Sequence, residues 1–163
     1  MITKSFNDLG TFAVHLAARE VALTKSLSVG MERALTVIEN DAKDQIGHYQ
    51  PGIGAFPAWA DLAPSTEAEK ARMGAPADAP LLRTGGLYAS FGHDVVSPSE
   101  GVVGSTDPTM VFHEFGTARM PPRPVLGPAM LRSMPKVQKI LGVALVEGII
   151  GGEIVAAGSY FKP

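Results

Sequence analysis

Apolar positions in the first third of the chain fall in a helical rhythm. Leu9, Phe12, Ala13, Leu16, Leu23, Leu27, Met31, Ala34, Leu35, Ile38, Ala42 and Ile46 recur mostly every three or four residues, which puts one apolar face on a helix over Leu9 to Ile46. Ser5 or Asn7 is placed to cap its start, Gly30 to weaken or kink it, and Gly47 to end it. Such a helix would run ~55 to 60 Å at 1.5 Å per residue. A domain this small cannot cover all of that stripe, so the pattern predicts that part of it meets another subunit.

The rhythm then breaks. Tyr49 to Pro64 is rich in turn residues yet holds the single tryptophan, Trp59, which predicts a docked loop. Ser65 to Gly74 combines a cap, early acids, late bases and a terminal glycine, predicting a short helix; Ala75 to Pro80 reads as a linker. Leu87 to Val96 alternates imperfectly and precedes Ser97-Pro-Ser-Glu-Gly and Val102 to Ser105, the pattern of a hairpin. Asp107 is a cap, Pro108 suits the first helical position and Gly116 lies just past the end, so a helix is expected over Pro108 to Phe115. Met120 to Pro124 carries Pro121, Pro122 and Pro124, which remove backbone donors and force a stiff extended strut. Helical spacing returns with Val137, Ile140, Leu141, Ala144, Leu145 and Ile149, with Ser133 or Met134 before Pro135 as the expected start. The pattern predicts a single α+β domain over 1–163: an N-terminal helix at 1–47, a loop-rich segment with a short helix at 48–80, a core at 81–149 and an apolar docking tail at 150–163.

Composition narrows the function. With 45% hydrophobic residues in 163, the chain has enough apolar material for a sizeable core. Fourteen Lys and Arg stand against 16 Asp and Glu without long like-charge runs, so neither a nucleic-acid track nor a polybasic membrane patch is expected, and the default partner is protein. The lack of cysteine removes disulfides, thiolate metal sites and a cysteine nucleophile. Met1 to Phe6 lacks the apolar core of a secretory signal, and glycines with Glu147 and Glu153 interrupt the apolar run after Leu141, so no membrane span is expected.

Catalytic spacings are missing. His113-Glu114 begins a zinc-protease motif, but the residue four after His113 is Thr117. Thr84-Gly-Gly lacks the lysine and spacing of a phosphate loop, and no Gly-x-Ser-x-Gly elbow presents Ser90, Ser97 or Ser99. A looser metal site drawn from His93, Asp94, His113 and Glu114 would support a metal-dependent hydrolase using His93 and His113, but surface or interface polarity accounts for these residues better. Arg119 and Arg123 beside Glu114 read either as a solvated salt bridge worth ~0 to 1 kcal/mol or as an inter-subunit ion pair that sets register. Trp59 and Phe56 read as core rather than as a ligand platform.

Several blocks in order carry a resemblance: Trp59-Ala-Asp-Leu62 with Thr66 and Lys70; Leu82-Arg-Thr84-Gly85-Gly-Leu87 with Ser90-Phe91; Val103-Gly-Ser105; Glu114-Phe115-Gly116-Thr117; and, beyond Arg119, Pro122-Arg123-Pro124-Val125-Leu126-Gly127-Pro128-Ala129. Together, over about Trp59 to Leu145, they resemble the tailed-bacteriophage neck and tail-completion proteins. Thr109-Met110 and Val125 stand where that family usually carries Tyr-Ala and an aromatic. The resemblance implies a non-enzymatic α+β subunit without cofactors that forms a ring, commonly hexameric, at the neck or top of the tail. It would be assembled in the host bacterial cytoplasm against tail-terminator, tail-tube or connector proteins, with DNA passing through the lumen without specific binding and with no membrane contact. A tail terminator or head-tail stopper ring, or a component of a phage-derived bacterial particle, are the alternatives within the same class.

Overall fold

The computed structural model describes residues 8–150, so the expected caps Ser5 and Asn7 and the tail from 151 lie outside the described residues. In chain order the elements are α1 (Leu9–Asp44), α2 (Pro64–Arg72), α3 (Gly86–Ser90), β1 (Phe91–Ser97), β2 (Glu100–Ser105), α4 (Thr109–Phe115) and α5 (Leu126–Ile150). The fold is mixed α+β, with a two-stranded antiparallel sheet.

The periodicity of α1 is realised over 36 residues, about 54 Å of helix. Asp8 caps it, its carboxylate accepting from the Thr11 N–H at 2.8 Å. At the far end Gln45 is the cap residue, and Gly47, at φ +92°, turns the chain away while its N–H donates to the Pro80 carbonyl. Only the second half of α1 is buried: Gly30, Ala34, Leu35, Ile38 and Ala42 face the core, whereas Leu9, Val14 and Val21 stand exposed.

The partner of that buried stripe is α5, which runs antiparallel to it. Arg132 clamps Asp41 through Nε and Nη2 at 2.9 and 2.7 Å, the Gln45 amide donates to the Val125 carbonyl at 3.0 Å, and Ser26 Oγ donates to the Ala144 carbonyl at 2.7 Å. Gly30 is therefore no kink. A Cβ there would sit 2.5 Å from the Ala144 Cβ, and one at Gly148 would sit 2.7 Å from the Leu23 Cα, so the two glycines let the helix backbones approach. The core continues through Ile46, Trp59, Phe91, Met110, Val125, Ala129 and Val137.

Three other expectations are corrected. The short helix begins at Pro64 with Ala63 as its cap residue, because proline at the first position needs no donor. The segment before β1 is not strand: Gly85, at φ +83°, turns the chain into the single helical turn α3, and pairing starts only at Phe91↔Ser105. Finally, α5 starts at Leu126 and passes through Pro135 without interruption. The hairpin lies on α1, with Gly101 against Leu35 so closely that a Cβ would come within 2.4 Å of a Leu35 methyl, and a register shift between Val95 and Ser97 leads into its turn.

The helix contact yields a first prediction. Gly30→Ala and Gly148→Ala should each cost about 1 to 3 kcal/mol by overpacking, despite gaining helix propensity. Gly142→Ala in the same helix pair, where a new methyl meets nothing, should instead gain up to ~1 kcal/mol. Urea unfolding of the three variants separates these outcomes; equal stabilities at positions 30 and 142 would mean that the helices are not in close contact.

Candidate functional site

Of the residues singled out in the sequence, those from Glu114 to Ala129 lie along the joint between α4 and α5. Asp107 accepts from the Thr109 N–H and hydroxyl at 2.9 and 2.7 Å, starting α4. Gly116 ends it at φ +72°, ψ −178°, a backbone region open essentially to glycine alone; a Cβ there would meet the Met120 carbonyl at 2.8 Å and the Pro122 nitrogen at 2.9 Å. Thr117 and Met120 then close a tight turn through reciprocal backbone bonds of 2.8 and 3.3 Å. The extended strut follows, tied back by the Arg123 N–H donating to the His113 carbonyl at 2.7 Å.

Glu114 and Arg123 are both held within the chain. The Glu114 carboxylate accepts from the Val125 and Leu126 N–H groups at 3.0 and 2.6 Å. It thereby caps the N-terminus of α5, where unpaired donors and the helix dipole favour an anion. Burial pushes the Glu114 pKa up, the two backbone bonds opposing. Arg123 is 5% exposed and sends Nη2 to the carbonyls of Ala60 and Asp61 at 2.8 and 3.1 Å. Of the three charges read as register-setting contacts, Arg119 alone is at the surface.

Most of the remaining signature is packing. The Trp59 indole donates to the Pro124 carbonyl at 3.1 Å; Phe91, Pro124, Pro128 and Ala129 are buried, and Leu82, Leu87 and Leu126 pack against the core. Ser90 Oγ donates to the Leu87 carbonyl and meets Ser105 Oγ at 2.7 Å, joining α3 to β2. Thr84, Thr117 and Pro122 are exposed, and Phe115 is 81% exposed, with Phe112 and Val111 beside it at 54% and 57%.

Two further features escaped the sequence. A cleft of about 550 Å³ opens between α2, the turn at 81–87, α4 and the strut, with His113, Arg119 and Arg123 on one wall. Burial and the neighbouring Arg123 charge push the His113 pKa down, and its Nδ1 is enclosed without a hydrogen-bond partner among the described residues. Leu81, also lining the cleft, holds φ +63°, the one positive φ outside glycine among the described residues. Lys70 also lines the cleft, largely buried, its ammonium on the Ala79 carbonyl and its pKa lowered by that burial.

Elsewhere His93 on β1 is gripped by α1: Nδ1 by Glu39 and Nε2 by Glu32 at 3.1 Å, while Lys43 also binds Glu39. The Glu39 bond, chiefly, raises the His93 pKa; the Lys43 bond, then His93, lowers that of Glu39. Among the described residues no group of three or more His, Cys, Asp or Glu is placed to hold a metal ion, and no helix is long and apolar enough to cross a membrane.

Two predictions follow from these contacts. Glu114→Gln replaces an acceptor by an amide that turns a donor toward backbone N–H groups, and should cost about 1 to 3 kcal/mol; chemical denaturation that finds no loss would remove the capping role. For His93 the folded pKa lies above its ordinary 6.5, so its contribution is complete below that value and fades as pH rises through the folded pKa. Glu39, lowered from 4.5, contributes above that value and loses its share as pH falls through its folded pKa. The clamp should thus be strongest at mildly acidic pH, the melting temperature should decline as pH rises past about 6.5, and His93→Gln should flatten that decline.

No protein-family model, curated protein or solved structure matches the chain.

Proposed function

We propose that the chain is a structural virion protein of the head-tail joint of a tailed phage, one that forms a ring and completes the neck or tail. The observation that carries this reading is the outward face of α4: Val111, Phe112 and Phe115 point to solvent from a helix whose other side is locked by Met110, Glu114 and the Arg123–His113 backbone bond. The resemblance of the blocks from Trp59 to Ala129 to neck and tail-completion proteins supports it from the sequence side.

Energetics favour a ring over an isolated pair. Burying one phenylalanine contributes about 1.5 to 3 kcal/mol, and association costs at least about 4 kcal/mol in lost freedom, so a single small contact is marginal. A heterologous contact that closes into a ring gives every subunit two interfaces. The ring, hexameric on the family's pattern, presents a composite surface to a tail-terminator, tail-tube or connector ring, and its mildly acidic balance does not grip passing DNA.

Light scattering and negative-stain electron microscopy of the purified protein, alone and with tail tubes, test the reading. Rings or capped tubes are expected, and Phe112→Ser with Phe115→Ser should abolish them while leaving the melting temperature of the monomer within a few degrees of wild type, because neither side chain is core. A wild-type protein that stays monomeric and never joins tubes overturns the proposal.

A further inference from the structure

The cleft beside α4 holds an unbalanced charge. Arg123 is 95% withdrawn from solvent, yet none of the ion pairs among the described residues includes it. Its Nη2 is satisfied by two carbonyls, and among the described residues its Nε is enclosed without an acceptor and Nη1 makes no hydrogen bond. Four buried side-chain polar atoms lack a partner among the described residues, and two of them, Arg123 Nε and His113 Nδ1, belong to this one wall. Withdrawing a guanidinium from water without an anion is costly, and among the described residues no carboxylate pairs with it. Of the acidic residues lining the cleft, Glu69 is taken by Arg83 at 2.7 Å, Asp107 by Thr109, and Asp61 is exposed and binds Arg123 only through its carbonyl. Arg119 stands exposed on the same wall and Thr84 on the opposite one, neither committed to an ion pair.

We propose that this cleft is a binding site for a carboxylate, which Arg123 and Arg119 hold between them beside His113, with Thr84 as a hydroxyl donor at the mouth. With Nη2 held by the Ala60 and Asp61 carbonyls, Arg123 offers a carboxylate one charge-assisted bond from Nη1, Arg119 offers its own guanidinium, and the cavity of about 550 Å³ has room for a small dicarboxylic acid or for an acidic side chain entering from a second copy of the chain. The site is independent of the α4 outer face, whose phenylalanines point the other way.

The probe is succinate, followed through the His113 imidazole signals by NMR on the full chain. Saturable shifts are expected in the low millimolar range, with none from uncharged succinamide. Arg119→Ala, an exposed position, should weaken binding about three-fold or more without changing the melting temperature, and Arg123→Lys should weaken it about ten-fold or more, because a lysine cannot hold the two carbonyls and donate to the ligand at the same time. Dilution of the protein without succinate separates the sources: His113 signals that move with protein concentration identify a second copy as the donor, and signals that stay fixed identify a free acid. Shifts that fail to saturate by about 50 mM, far above the affinity range of a weak specific site, overturn the proposal. So do shifts that sodium chloride of equal ionic strength reproduces, or an Arg119→Ala protein that binds as wild type does.

Discussion

The structure turns on one contact, the Glu114 carboxylate seated on the first backbone donors of α5. A helix starts with N–H groups that have no partner within it, and Val125 and Leu126 offer no side chain able to serve. The acceptor comes instead from α4, at 3.0 and 2.6 Å. Burial raises the pKa of that carboxylate, so ionisation there carries a desolvation cost, which charge-assisted bonds and the helix dipole offset in part. Once Glu114 is fixed, the strut between the two helices has little freedom. Arg123 N–H closes onto His113, the Pro124 carbonyl receives the Trp59 indole, and the Arg123 side chain reaches 60–61.

On the other side of α5, close approach replaces polar capping. Gly30 and Gly148 remove the methyl groups that would hold the α1 and α5 backbones apart, and Gly101 does the same between the hairpin and Leu35. Close contact alone leaves two helices able to slide. The Asp41–Arg132 clamp and the Gln45–Val125 bond fix their register at the end nearest Glu114, so the core and the α4–α5 joint share one fixed point.

This division explains what could be read from the sequence. The 36-residue α1 was legible because its signal is a local 3.6-residue period, and the α4 start was legible to within one residue: Asp107 binds the Thr109 N–H, but Pro108 is the cap residue and the helix begins at Thr109. The start of α5 was not, because Glu114 caps it from another helix and leaves Pro135 as the only local cue; that cue points to the wrong place. Gly30 read as a weak point for the same reason, its cause being Ala144 across the helix pair. The adjacency of Glu114, Arg119 and Arg123 was visible, but burial that separates Arg123 from Arg119 was not. Nor could spacing reveal the cleft, whose Lys70, Arg83, His113 and Arg123 come from different elements.

The arrangement of α4 is inverted relative to an ordinary surface helix. Its inward positions include a half-buried carboxylate and a half-buried imidazole, while two phenylalanines and a valine face water. The fold does not draw its stability from those apolar groups, because the polar bonds of Glu114 and the backbone closure at His113 already hold the helix in place. An apolar face on a helix that polar contacts immobilise is what the proposed ring contact requires, because the ordering cost that usually opposes binding would be met during folding. Gly116 is part of the same device, since the backbone angle that only glycine tolerates aims the strut back under α4 and leaves Phe115 outside.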